Sequence, residues 1–291
     1  MSSMWKRVVA AIAVWAGVSV CAAEPLKVLS VGNSFSVNAH AFLDEIAQAM
    51  GRDLLLRNAA ISGGPIQGHV QQIHAYESST NAPVRRGQPY VIDGVKTSLP
   101  ELLQSQRWDI VTIQQFSWHS RDASTYEPEG TELIGYIRRL APQAEIVVYE
   151  TWAYREDEQR LVHADMTPGQ MYADVSKAYR LFASRHGLRV LPGGLAFNLA
   201  QAASIRARAV RDAFGPDGVL SLKSLYAEDG CHAGLDGEYL LGCVWFEFLF
   251  GEDARAVRFI PEGMSANDAA ALREIAHRAV TLEKAAKPEG K

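Results

Sequence analysis

Two short segments near opposite ends of the chain carry side chains that could do chemistry together. Gly32-Asn33-Ser34-Phe35-Ser36 follows an apolar run, Leu26 to Val31, and precedes a helical pattern. A serine at a strand-to-helix turn is lifted above the sheet edge, near backbone N–H groups that can stabilise an oxyanion. The same place also suits plain helix capping by Ser34 or Ser36. The second segment is Asp229-Gly230-Cys231-His232. Across three residues of tight turn the carboxylate can reach one imidazole nitrogen and leave the other free to take a serine proton. Taken alone, this segment reads more simply as a turn aspartate and a capping histidine before a helix at 235–250. Taken together, the two segments hold a nucleophile, a base and an orienting acid. They lie about 195 residues apart, so the fold must bring both to one edge.

The elements between them fit that demand. Leu26 to Val31, Leu54 to Leu56, Trp108 to Ile113, Glu145 to Tyr149 and Arg189 to Leu191 are short apolar runs that read as buried strands. Helical stretches lie at Ala39 to Met50 and at about 129–140, 168–186, 194–212 and 235–250. Strand and helix in alternation predict an α/β fold: a three-layer sandwich, a mostly parallel sheet with helices on both faces. Ligands in such folds sit at the carboxyl ends of the strands. Tyr90 to Val95 breaks the rhythm as a hairpin turning at Asp93-Gly94. Ala266 to Ala286 reads as a final amphipathic helix. No repeat or linker divides the chain.

The arrangement resembles the SGNH (GDSL-type) hydrolase superfamily, whose members carry an early Gly-Asp-Ser-like block and a late Asp-x-x-His. Within it the chain is most similar to secreted bacterial SGNH-like proteins known only as a domain of unknown function. The similarity is carried by Gly32 to Ser36, Gly63-Gly64, and Trp108-Asp109 running into Val111 to Ser117. Further matches are Thr151-Trp152-Ala153-Tyr154 and the stretch from Asp229 to Gly251. The resemblance implies a flavodoxin-like sheet and a triad of Ser34 as nucleophile, His232 as base and Asp229 as orienting acid. It implies an oxyanion hole from the N–H groups of Ser34 and of Gly64, with Gly63 second in line. The usual Gly-x-Asn-Asp block is missing, and Gln114-Gln115 stands there instead. A Gln carboxamide offers the same donor on a longer stem, which nominates Gln115 as the third oxyanion contact and Gln114 as its reserve. Packing of one Gln and backbone bonding by the other is the equal alternative. Trp118, His119 and Trp152 are expected at the same edge, where aromatic faces suit sugar rings; loop packing is the alternative for each.

Composition sets the bounds. The chain has 291 residues, 48% hydrophobic and 21% charged, a globular balance. Net charge is −4 from 29 basic and 33 acidic side chains, which leaves no basic excess for nucleic acid. Lys6 and Arg7, an uncharged run from Val8 to Cys21, and Cys21-Ala22-Ala23 form a secretory signal pattern. The run is shorter than the about 20 residues of a membrane span. A signal peptide is therefore expected over 1–23 and one hydrolase-like domain over 24–291. A lipid anchor on Cys21 is the weaker reading, because Val20 stands where a small residue is usual. Cleavage would leave Cys231 and Cys243, expected as unpaired thiols, with a disulfide as the alternative. His69 and His74 are five apart, which does not fit a helical zinc pair. No metal or cofactor is expected. Asp44, Glu45 and Glu156-Asp157-Glu158 read as solvated surface.

The sequence thus predicts a secreted or periplasmic serine esterase, a monomer, acting on a small-molecule or carbohydrate ester such as an O-acetylated sugar. No nucleic-acid partner and, after cleavage, no stable membrane partner is expected. A lipase or thioesterase on the same fold is the alternative within the enzyme class. A non-catalytic glycan-binding protein is the alternative outside it, kept open by the missing Asn block.

Overall fold

A computed structural model describes residues 24–79, 81–82, 85–214 and 225–286. The leader expected over 1–23, with Cys21, lies outside the described residues. The strands are β1 (Leu26–Gly32), β2 (Leu54–Ala60), β3 (Tyr90–Ile92), β4 (Val95–Thr97), β5 (Ile110–Ile113), β6 (Glu145–Tyr149) and β7 (Arg189–Leu191). The helices are α1 (Ser34–His40), α2 (Leu43–Ala49), α3 (Ile66–Ser78), α4 (Leu99–Ser105), α5 (Glu129–Leu140), α6 (Gln159–His163), α7 (Pro168–His186), α8 (Gly193–Phe214), α9 (Leu235–Phe250) and α10 (Ala266–Ala285).

Five strands form a parallel sheet in the order β2-β1-β5-β6-β7. Its central strands are near-continuous apolar runs, as burial on both faces requires. Val28, Leu29, Val111 and Val147 are fully buried. Helices α2, α8, α9 and α10 pack together in one layer, and α3, α4 and α5 in the other. The α/β sandwich expected from the sequence is the fold observed. The strand order reverses between β1 and β5, and the crevice above that switch point is where such sheets bind ligands. The segments after β1, β2, β5 and β6 all open onto this edge.

The hairpin β3–β4 is antiparallel and turns at Asp93 and Gly94, with φ of 51° and 80°. Both lie in the left-handed region that this two-residue turn needs. The helix expected over Ala39 to Met50 divides in two: α1 begins at Ser34 itself, and the chain breaks at Ala41-Phe42 before α2. Three helices are missing from the sequence expectation: α3, α4 and the short α6, whose cap Glu158 is buried rather than solvated as expected. In α4 a capping box of Ser98 and Glu101 supplies the start signal, followed by Pro100 in the first turn. In α3 the apolar face Ile66, Val70, Ile73 is interrupted by His69, which is buried with them. His69 stands in the core by bonding on both sides: one ring nitrogen to the Gly32 carbonyl at 3.0 Å, the other to the Tyr90 hydroxyl at 2.7 Å. Burial pushes it down to about 4, so the ring is neutral. His74 instead faces Glu132 on the surface.

Candidate active site

Ser34 is the first residue of α1, set immediately past the end of β1. Asn33 caps the helix with its side-chain oxygen, which accepts from the Phe35 N–H at 3.0 Å. The same oxygen accepts from Gln114 Nε2 at 2.8 Å, and Asn33 Nδ2 donates to the Gly64 carbonyl at 3.0 Å. One buried carboxamide thereby ties together the loops after β1, β2 and β5. Gly32 is required beside it, because a Cβ there would stand 2.7 Å from the Gln114 side chain.

The late loop reaches the same edge. His232 Nε2 lies 2.7 Å from Ser34 Oγ, and His232 Nδ1 lies 2.5 Å from Asp229 Oδ2. The other carboxylate oxygen, Asp229 Oδ1, accepts from the Cys231 and His232 backbone N–H groups, each at 3.0 Å. Partial burial alone would raise the Asp229 carboxyl. The bonds from the His232 ring and the two N–H groups outweigh it and hold the group well below the usual carboxylate range. His232 is pushed up to about 9, first by the Cys231 sulfur, 3.5 Å from Nδ1, and then by Asp229, against some desolvation.

Four residues that the sequence reading passed over hold the late loop and the Ser34 turn. Arg155 donates from its guanidinium to the carbonyls of Ala227 and Glu228 at 3.0 Å each, and its backbone N–H bonds the Gly230 carbonyl at 2.8 Å. Tyr226 donates its hydroxyl to the Ala153 carbonyl at 2.9 Å. Asn38, one turn beyond Ser34, accepts from the Ala233 N–H at 3.3 Å and donates to Glu238 on α9 at 2.8 Å. Asn33 completes the set. For Asn33 and Asn38 the sequence held a usable signal: polar side chains flanking Ser34 within one helical turn.

The remaining sequence-named residues separate. Gly64 is buried, and its N–H closes the turn onto the Ile61 carbonyl at 2.8 Å. That N–H is committed inside the loop, which corrects its assignment to the oxyanion hole. The neighbouring Gly63 is exposed, at φ 59° with open space around its Cα. Gln115 is fully buried and its carboxamide is engaged throughout. Oε1 accepts from the Ile66 and Phe116 N–H groups at 2.9 and 2.8 Å, and Nε2 donates to the Thr125 carbonyl at 2.7 Å. It pins α3 to the loop after β5, and these bonds, not an oxyanion, take up its donor and acceptor, which corrects its nomination as the third oxyanion contact. Gln114 serves Asn33, as above.

Trp152 is no open platform either. It is fully buried, stacked between Phe35 at 4.1 Å and Phe197 at 4.6 Å, and its Nε1 donates to the Cys231 carbonyl at 2.9 Å. Trp118 is half-buried, with Tyr154 stacked on it at 5.9 Å and the Arg121 guanidinium 4.2 Å from its ring centre. His119 is exposed, edge-on to Phe116 at 5.1 Å. Of the three aromatic candidates, Trp118 and His119 keep access to solvent.

The whole constellation sits in one recognisable sequence family. The model for Domain of unknown function (DUF4886) matches residues 27–279. The chain belongs to the DUF4886 family. A DUF4886 family protein from Bacteroides uniformis ATCC 8492 superposes with a TM-score of 0.72 at 27% identity, over 91% of this chain and 98% of that one. A protein assigned to the SGNH hydrolases, from Slackia heliotrinireducens, matches with a TM-score of 0.50 at 20% identity, over 77% of this chain and 98% of its own. This DUF4886 chain therefore has the SGNH hydrolase fold. No curated protein sequence matches it.

Among the described residues, two groups of side chains could converge on a metal ion: Asp229, Cys231 and His232, and Glu247, Asp253 and His277. In the second, the Ala254 N–H, the Arg255 guanidinium and the His277 ring already bond the carboxylates. It reads as an ion-pair network that fastens α9 to α10. Cys231 and Cys243 are both unpaired and buried.

Proposed function

We propose that this DUF4886 protein is a serine ester hydrolase with Ser34, His232 and Asp229 as its triad. The carrying observation is the unbroken chain from Ser34 Oγ to His232 Nε2 and from Nδ1 to Asp229, at 2.7 and 2.5 Å. Both spacings suit proton transfer. Neutral His232 takes the proton of Ser34 as Oγ attacks the ester carbonyl. The imidazolium formed is stabilised by Asp229 and returns its proton to the leaving alcohol. Water, deprotonated by His232 in turn, then attacks the acyl-enzyme and releases the acid.

The tetrahedral oxygen would be met by the backbone N–H groups of Ser34 and Gly63. No bond among the described residues uses either. Gly63 takes the place first given to Gly64, because it is the exposed glycine of the turn that Asn33 holds against the Ser34 loop. Short acyl groups on small alcohols or sugars are the proposed substrates, with Trp118 and His119 as the solvent-facing groups on their side of the edge. The mature chain from Glu24 would act in the secreted or periplasmic compartment, as a monomer.

The test is turnover of p-nitrophenyl acetate and of acetylated sugars, together with labelling by a fluorophosphonate probe. Wild type should do both. Ser34→Ala should lose labelling and fall by at least about 10⁴ in kcat. Wild type that neither turns over nor labels, yet retains a polysaccharide, would make the protein a glycan binder instead.

A further inference from the structure

Cys231 lies between the proposed acid and base, and the triad as described makes no use of its thiol. Its Sγ is 3.5 Å from His232 Nδ1, and Nδ1 is 2.5 Å from Asp229 Oδ2. The three ligand atoms come within 4.8 Å of one another. Zinc bound tetrahedrally at about 2.3 Å from sulfur and about 2.0 Å from imidazole nitrogen sets those two ligands about 3.5 Å apart. The Cys231–His232 spacing already has that value. The Asp229–His232 edge must widen, by under about 1 Å by the same geometry, and Asp229 has the room, with 48% of its side chain exposed.

The backbone that carries the sulfur is also held in place. The Cys231 N–H bonds Asp229 Oδ1 at 3.0 Å, and its carbonyl is fixed by Trp152 Nε1 at 2.9 Å. Little loop entropy would therefore be lost on coordination. A thiolate beside an imidazole and a carboxylate favours a borderline or soft divalent ion over magnesium or calcium.

We propose that Asp229, Cys231 and His232 form a binding site for a thiophilic divalent cation such as Zn²⁺, and that its occupancy switches the hydrolase off. The second half rests on the triad reading above; the first does not. The proton balance is simple. With the ring neutral, the ion takes the Nδ1 lone pair, and the ring proton moves from Nδ1 to Nε2. The thiol loses its proton to solvent as the sulfur–metal bond forms. An Nε2 that carries a proton can no longer accept one from Ser34, and Asp229 no longer orients the base.

Cd²⁺ serves as the probe, because thiolate coordination gives it an ultraviolet charge-transfer band. Wild type and Ser34→Ala should each develop the band and saturate at one ion per chain. Cys243→Ser should keep it, since Cys243 is fully buried in α9. Cys231→Ser and Cys231→Ala should both lose it, with thermal unfolding within a few degrees of wild type. Zn²⁺ should inhibit ester turnover and a chelator should restore it. Each Cys231 variant, compared with its own metal-free rate, should need more than about tenfold more Zn²⁺ for half-inhibition, the low end of what losing even an outer-shell partner costs a metal site. Wild type without the band, or a Cys231 variant that keeps it, overturns the site. A chain that binds Cd²⁺ through Cys231 but hydrolyses no ester removes the hydrolase reading and the switch, and leaves the metal site. A chain that hydrolyses ester through Ser34 but shows no band does the reverse.

Discussion

Replacing Trp152 with Phe separates two roles for one ring. As a substrate platform, Trp152 would act through binding. As a buried strut, it acts through the loop that carries His232. Phe keeps an aromatic face between Phe35 and Phe197, now stacked at 4.1 and 4.6 Å. It removes the 2.9 Å bond from Nε1 to the Cys231 carbonyl. A buried acceptor left without its donor costs about 1–3 kcal/mol, and imperfect repacking adds about 1 kcal/mol. The expected loss is therefore about 2–4 kcal/mol, or roughly 4–16 °C in Tm for a domain of this size. The orphaned carbonyl belongs to the residue next to His232. A shift near 1 Å there can cost about 100-fold in rate. The assay is kcat and KM for an acetyl ester, with thermal unfolding of the same preparation. The expected result is a fall of about 10- to 100-fold in kcat, a KM within a few-fold of wild type and a lowered Tm. A raised KM with unchanged kcat and unchanged Tm would refute the strut and return Trp152 to the substrate.

Three further outcomes follow from the same geometry. With a chelator present, kcat/KM should rise as pH climbs through about 9, since the base must be neutral and His232 is pushed up to about 9. Cys231→Ala removes the first cause of that shift and should move the midpoint to lower pH; an unmoved midpoint would discount the sulfur. Gln115→Ala should cost stability, because it strands the buried N–H groups of Ile66 and Phe116 and the Thr125 carbonyl, at about 1–3 kcal/mol each before relaxation. An unchanged urea midpoint with a 10²–10³ fall in kcat would instead restore it to the oxyanion hole. Glu150 is fully buried after β6, and desolvation pushes it up to about 7 from 4.5. The folded state then holds a proton that the unfolded chain releases near 4.5, so stability falls by about 3 kcal/mol as pH rises from there through 7. Glu150→Gln should flatten that slope in denaturant titrations; the same slope in both would show that folding does not raise the Glu150 carboxyl.

Ser34, Asp229 and His232 were legible in the sequence because their chemistry is local: a serine directly after an apolar run, and an acid three residues before a histidine. Strands β1, β5, β6 and β7 were legible for a similar reason, since burial on both faces demands unbroken apolar runs. Helix α3 was hidden by His69, a polar residue at a core position whose two partners, Gly32 and Tyr90, come from distant segments. The assignment of hydrogen-bond donors failed where it depended on direction. Gly64 and Gln115 have suitable groups at the right edge, but residue type does not say where an N–H points. Ile61 claims one, and Ile66, Phe116 and Thr125 saturate the other.

The sequence by itself determined the layered α/β architecture, the chain order of its strands and the three side chains proposed for the centre of the site. Periodicity suffices for the architecture, and residue type joined to the family resemblance singled out the side chains. The tertiary structure alone decided that the two segments meet, with Ser34 Oγ 2.7 Å from His232 Nε2. It also decided that Trp152 is buried between Phe35 and Phe197, that Gly63 rather than Gly64 is the exposed glycine, and that the Cys231 sulfur stands beside the His232 ring. Each of these depends on the direction of a bond or the approach of segments far apart in the chain, which only the closed sheet and its loops define.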